Sequence, residues 1–140
     1  MNLGLREKVI IVSGGAKGIG EGISGVLAIE GAYVAIVGRS EVDNQKAIEK
    51  INAAGGQAWS FVAELSQPEE CKKAVDEVVK MFGRIDGLVN NAGVNDGVGL
   101  ENGNYEKFMQ SLHNNLVHYY LLAHFALPYL KQSKIGRAHV

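Results

Sequence analysis

The chain has 140 residues, 46% of them hydrophobic, with 14 Lys and Arg set against 15 Asp and Glu. That balance fits one ordinary globular domain and leaves no basic face for nucleic acid, and the apolar runs are too short to cross a bilayer. Met1 to Lys8 lacks the apolar stretch of a signal peptide, and the lone Cys71 excludes a disulfide framework or a cysteine-rich metal site, so a cytoplasmic location is expected.

Val9 to Val12 is an unbroken β-branched run, the pattern of a strand buried on both faces. A glycine-rich turn follows from Ser13 to Gly20. Ile19, Ile23, Val26 and Leu27 then fall at helical spacing, with Gly31 placed as a C-cap. Tyr33 to Val37 reads as a second strand. Ser40 and Asp43 resemble a capping box opening a helix through Ala47, Ile48 and Ile51, which Gly55-Gly56 stops. Ala58 to Val62 is a third strand. Ser66 and Glu69 predict another capping box, with Pro68 in the first turn of a helix striped by Cys71, Ala74, Val75, Val78, Val79 and Phe82. Ile85 to Val89 is a fourth strand, and Asn90 to Asn104 a polar loop. One continuous helix is expected from about Tyr105 to about Leu130. This alternation predicts successive βαβ units: a doubly wound parallel sheet in a three-layer α/β/α, Rossmann-type domain spanning residues 1–134.

Glycine is over-used, at 18 residues. Gly14, Gly18 and Gly20, spaced G-x-x-x-G-x-G between strand and helix, enclose Ala16, Lys17 and Ile19. Such a turn lets backbone approach a pyrophosphate, and the helix beyond it aims free N–H groups and a positive dipole end at the phosphates. A tight turn that binds nothing is the alternative. A literal G-x-G-x-x-G, at Gly20, Gly22 and Gly25, lies inside the helix instead, where Gly22 and Gly25 are expected to allow close packing on the sheet. About 20 positions after the turn an acid would read a free ribose 2′-hydroxyl. Gly38-Arg39-Ser40 stands there instead. Arg39, with Lys17 nearby, favours NADP over NAD, unless Arg39 is only a solvated loop residue.

Ser13-Gly14-Gly15-Ala16-Lys17-Gly18-Ile19-Gly20 resembles the Thr-Gly-x-x-x-Gly-Ile-Gly turn of short-chain dehydrogenases/reductases. Asn90-Asn91-Ala92-Gly93 matches that family's Asn-Asn-Ala-Gly motif, and Glu64-Leu65 stands at its Asp-apolar pair beside the adenine. Asn114-Asn115-Leu116 matches its helix motif. The resemblance implies cofactor contacts at Gly14, Ala16, Lys17, Gly18, Ile19, Gly20, Arg39, Glu64, Leu65, Asn91, Ala92 and Gly93. It implies a catalytic Asn115 holding a water in a proton relay. The implied reaction is hydride transfer between a nicotinamide and an alcohol or carbonyl, in a parent that is a homodimer or homotetramer.

The sequence also departs from the family. It holds no Tyr-x-x-x-Lys, so the family's catalytic Tyr and Lys, and the Ser of its next strand, are missing, and this chain alone is expected to be inactive. Ile135-Gly136-Arg137-Ala138-His139-Val140 is what a widely used sequencing adapter encodes when translated, and is expected to be a non-native tail after a truncation. The loop from Val94 to Leu100 lies where open α/β sheets bind ligands. Asn95, Asp96 and His118 are candidate substrate contacts, with turn chemistry the alternative for the first two and packing for the third. The stretch Asn90 to Leu100, with Asn115 to Tyr120, resembles the bacterial L-fucose dehydrogenases of this family, which implies L-fucose or another sugar as substrate. His113, His118 and His124 lack the i, i+4 spacing of a helical zinc pair, so no metal is expected. A non-catalytic dinucleotide-binding or redox-sensing module is the other functional reading.

Overall fold

The computed structural model describes residues 2–133. Along it run β1 (Val9–Ser13), α1 (Gly18–Ile29), β2 (Tyr33–Gly38), α2 (Glu41–Ala53), β3 (Gln57–Val62), α3 (Pro68–Phe82), β4 (Gly87–Val89), α4 (Tyr105–Leu112), a π-helical segment (His113–Val117) and α5 (His118–Gln132). The four strands form one parallel sheet in the order β3-β2-β1-β4.

Successive residues of a strand face opposite sides of a sheet, and β1 buries both of its faces. Val9 and Ile11 join Cys71, Ala74, Val75 and Val78 of α3 and Leu122 and Ala126 of α5. Ile10 and Val12 join Ala28 of α1 and Ala47, Ile48 and Ile51 of α2. This two-sided burial explains why β1 reads as an unbroken β-branched run and makes the fold the expected three-layer α/β/α. Each fully buried Val or Ile contributes about 1.5–3 kcal/mol, so the sheet centre is the rigid platform from which the loops project.

Asp86 ties the amino ends of the strands together. Its Oδ2 accepts from Val9 N and from Arg84 Nε, both at 2.8 Å. Its Oδ1 accepts from Arg84 Nη2 at 2.6 Å and from Ser133 Oγ, just past α5, at 2.7 Å. Burial alone would push this carboxyl up, but the bonds from Arg84, Ser133 and Val9 together hold it below its ordinary value.

The elements differ from expectation at four places. α3 is capped by Gln67, without a side-chain bond, and starts at Pro68; Ser66 Oγ donates instead to Glu64 Oε1 at 3.0 Å, which takes it out of the capping role. Ser40 does cap α2, accepting from Asp43 N at 3.2 Å. β4 begins at Gly87 rather than Ile85, because the Asp86 carboxylate occupies the Val9 N–H at the start of the ladder. The long helix is not continuous. Between α4 and α5 the backbone widens into a π turn, where Asn115 Nδ2 donates to Ser111 O at 3.1 Å and His118 Nε2 sits 2.9 Å from Asn114 O. Gly22 and Gly25 do not pack on the sheet, since a Cβ on either would meet nothing within 4 Å. No helix among the described residues is long and apolar enough to cross a membrane. The expected tail at 135–140 lies outside the described residues.

Candidate functional site

At the carboxyl ends of the strands a cleft of about 680 Å³ runs from the glycine turn and the end of β2 across to the π segment. Open parallel sheets place their ligands at this end, where helix amino termini and strand-terminal loops converge.

The glycine turn forms one wall. Gly14 (φ +65°) and Gly18 (φ +55°) adopt the left-handed backbone that glycine takes without steric cost. Gly20 packs so closely that a Cβ there would collide with Gly14 O and the Asn91 side chain, whereas a Cβ on Gly18 would meet nothing. The turn is therefore pinned on its inner side and open on its outer side. Ser13 and Asn91 do the pinning. Ser13 Oγ accepts from Asn91 N at 3.0 Å and Ala92 N at 3.1 Å. Asn91 Nδ2 donates to Ser13 O at 3.2 Å and Gly14 O at 3.1 Å. Asn91 braces the turn from behind, and Ala92 and Gly93 continue along the cleft.

α1 opens from this turn with Lys17 as its N-cap and no side-chain bond to the first-turn N–H groups, whereas Ser40 caps α2 and Asn104 caps α4. An uncapped helix amino end beside an open glycine turn presents donors and a positive dipole to the cleft. Ala16, Lys17 and the 80% exposed Ile19 line the same wall.

Beyond β2 the wall is charged. Arg39 is exposed and lines the cleft with Ser40, Asp43 and Asn44. Lys17 Nζ lies 2.9 Å from Asp43 Oδ2. That ammonium, with the Ser40 hydroxyl, holds the Asp43 carboxyl below its ordinary value. After β3, Glu64 Oε1 accepts from Ser66 N and Ser66 Oγ, and Leu65 is packed into the core beneath the cleft floor.

The far wall is built by the loop after β4 and by the π segment. Asn115 Oδ1 accepts from Val94 N at 2.7 Å while its amide donates to Ser111 O, so the side chain straps the loop to the helix. A Cβ on Gly93 would lie 3.0 Å from Asn115 Oδ1, so a small residue belongs there. Asp96 Oδ1 accepts from Ser111 Oγ at 3.1 Å, and Asn95 Oδ1 accepts from Gly97 N at 3.2 Å, the turn chemistry that the sequence left open. His118 lines the cleft yet is only 2% exposed; its ring sits edge-on to Tyr119, and its Nδ1 is buried without a partner among the described residues.

The cleft thus gathers Gly14, Ala16, Lys17, Ile19, Arg39, Glu64, Leu65, Asn91, Ala92, Gly93, Asn95, Asp96 and His118. Gly18, Gly20 and Asn115 shape it from the turn and from the helix behind. Ser13, Asp43 and Asn90 stood in sequence motifs without being given a role in the site. Asn90 Nδ2 donates to Tyr119 O at 3.1 Å, linking the end of β4 to α5. Among the described residues no three His, Cys, Asp or Glu gather into a group that could hold a metal.

A family model described as short chain dehydrogenase matches residues 8–138. The chain is 33% identical over 129 residues to 11-beta-hydroxysteroid dehydrogenase A of Sesamum indicum, covering 91% of this chain and 37% of the relative. It is 34% identical over 133 residues to the probable galactose dehydrogenase GalD of Rhizobium meliloti (strain 1021), covering 94% and 52%. Among solved structures it superposes on the NADH-dependent reductase A1-R′ complexed with NAD at TM-score 0.87, with 30% identity, covering 94% of this chain and 55% of that one. It also superposes on a metagenomic short-chain oxidoreductase in complex with NADP at TM-score 0.84, with 32% identity, covering 90% and 57%. The chain spans between about a third and somewhat over half of the length of these relatives. With a family match across nearly its whole length and a backbone that superposes on solved members, this chain belongs to the short-chain dehydrogenase family.

Proposed function

We propose that this chain is the dinucleotide-binding part of an NADP-preferring oxidoreductase acting on a secondary alcohol or carbonyl, with a sugar of the L-fucose type as substrate. The observation that carries the cofactor reading is the uncapped amino end of α1, set in a turn that is braced behind by Ser13 and Asn91 and open in front at Gly18. A pyrophosphate would meet the N–H groups of Gly18, Ile19 and Gly20, an adenine would lie by Glu64 and Leu65, and a 2′-phosphate would face Arg39 and Lys17. A bound nicotinamide would supply or accept the hydride.

The chain's own contribution is to bind, orient and enclose. Asn115, the residue to which the family resemblance gives a role in proton relay, here ties the Val94 loop to the π segment and so fixes the wall on which a substrate would lie. The sugar reading is supported by the polar lining at Asn95 and Asp96 and by the similarity to a probable galactose dehydrogenase, L-fucose being a 6-deoxygalactose. The sequence holds no Tyr-x-x-x-Lys, so this chain alone is expected to bind cofactor without turning over L-fucose.

Titration of the chain with NADPH and NADH, followed by nicotinamide fluorescence, tests the reading. NADPH should bind more tightly. Arg39→Ala should lose about tenfold in NADPH affinity, the worth of one charge-assisted hydrogen bond at about 1.5 kcal/mol, and leave NADH unchanged. Replacing Gly38 is not a clean test, because a Cβ there would lie 2.9 Å from Asn44 Oδ1. Equal binding of both cofactors, unaltered by Arg39→Ala, would remove the NADP preference; binding of neither would remove the dinucleotide reading.

A further inference from the structure

We propose that Asp43 sets cofactor specificity by holding Lys17, so that the cleft takes a 2′-phosphate less tightly than its two cations alone would allow. The inference rests on the dinucleotide reading above and concerns a residue that reading does not use.

Two cations stand on the cleft wall at the end of β2: Lys17, in the turn before α1, and Arg39, directly after the strand. A third charge shares that wall. Asp43, in the first turn of α2, takes Lys17 Nζ at 2.9 Å. The pair joins the turn before α1 to the first turn of α2, two helices that pack on the same face of the sheet. Its members differ in freedom: the Lys17 side chain is 75% exposed, the Asp43 side chain 28%. Asp43 is short, is mounted on a helix, and its N–H is tied to the capping hydroxyl of Ser40. Lys17 is a long, solvated arm. When a phosphate dianion arrives, Lys17 is therefore the group that moves, and Asp43 stays.

Two consequences follow from that arrangement. A cation that leaves a carboxylate for a phosphate gives up one charge-assisted bond to make another, so only the difference between them appears as affinity. The carboxylate it leaves is then unpaired on the wall that the phosphate occupies. Both effects weaken binding of a 2′-phosphorylated dinucleotide, and neither touches one whose 2′-hydroxyl is free. Asp43 thereby narrows the gap between the two cofactors. The competing account is that Asp43 serves only α2, as an acid in the first turn facing the helix dipole; in that case the pair with Lys17 is incidental.

The experiment titrates the chain with NADPH and NADH in six forms, unaltered, Asp43→Asn, Asp43→Glu, Lys17→Met, Arg39→Ala and the Asp43→Asn/Lys17→Met double variant, with the melting temperature of each recorded. Asp43→Asn should tighten NADPH about twofold to fivefold, the range set by an exposed ion pair, and leave NADH unchanged. The gain should be clearly smaller in the Lys17→Met background, where only repulsion by the bare carboxylate is left to relieve, and Asp43→Glu, which keeps the charge, should keep the unaltered ratio. A gain undiminished without Lys17 would mean simple repulsion and overturn the holding role. A lowered melting temperature with both affinities unchanged would leave Asp43 as a helix residue only, and equal tightening of both cofactors would also refute the proposal. The reading beneath it fails differently: Lys17→Met and Arg39→Ala would both leave the NADPH to NADH ratio untouched, or the unaltered chain would bind neither.

Discussion

Three glycines of α1 have the spacing of a nucleotide-binding motif, and the structure separates them sharply. A Cβ on Gly20 would collide with Gly14 O and the Asn91 side chain, while a Cβ on Gly22 or Gly25 meets nothing within 4 Å. The obstructing atom at Gly20 is backbone, itself held by the Asn91 amide, so it cannot swing aside as the end of a long side chain would. Relief requires the turn to move. Gly20→Ala should therefore cost about 1–3 kcal/mol, the usual range for overpacking a close contact, and should also weaken NADPH and NADH together, because the displaced turn is the proposed phosphate cradle. Gly22→Ala and Gly25→Ala should do the reverse. Each replaces a helix-interior glycine by the best helix former in open space, for a gain of about 0.5–1 kcal/mol. At about 4 °C per kcal/mol for a chain of this size, the Gly22/Gly25 double variant should melt about 4–8 °C higher. Differential scanning fluorimetry with and without cofactor reads all three effects. A stabilised Gly20→Ala, or a Gly22/Gly25 variant that loses cofactor, would refute the assignment of which glycines form the cradle.

Two further outcomes follow from buried polar groups. Asp86 has a lowered carboxyl pKa in the folded chain, so its stabilisation is present above the ordinary Asp value of 3.8 and is lost as pH falls past that value toward its folded one. Asp86→Asn should lower the melting temperature at pH 7 and flatten its decline below about pH 4, and an acid limb as steep as the unaltered chain's would put the titrating group elsewhere. His118 is 2% exposed and bonded through Nε2 to Asn114 O, so His118→Ala should cost about 2–3 kcal/mol by thermal melting and leave NADPH affinity unchanged; an unaltered melting temperature would show that the ring is not part of the packing.

Local patterns were legible wherever one element's own residues decide its form. The β-branched run at Val9 to Val12 could only be a two-sided strand, and Gly83, Gly31 and Gly55 stand at helix ends with the positive φ that such positions demand. What the pattern concealed depends on partners distant in sequence. Ser66 looked like a cap because Glu69 stands three residues on, in capping-box spacing, but Glu64 takes that hydroxyl. The helix from Tyr105 to Leu130 kept an apolar period through its centre, and period alone carries no sign of a π turn. The residue types did carry one: Asn115 and His118 each reach a carbonyl four residues back, as short polar side chains in helices do when they compete with the backbone ladder.

The same distinction governs the site. Motif spacing singles out Asn91, which lines the cleft, and Asn115, which stands behind it, but a match to a motif carries position, and the contacts of these carboxamides are set by what lies around them. Asn91 spends its amide on Ser13 O and Gly14 O; Asn115 spends both ends of its side chain on Val94 N and Ser111 O. One fixes the turn where phosphates would sit, and the other fixes the loop where a substrate would lie. Both are struts between the end of β4 and an element far from it in sequence. Because β4 pairs with β1, a strand buried on both faces, the two walls of the cleft are held relative to that strand pair rather than to each other. A change at either asparagine should therefore disturb its own wall and spare the opposite one.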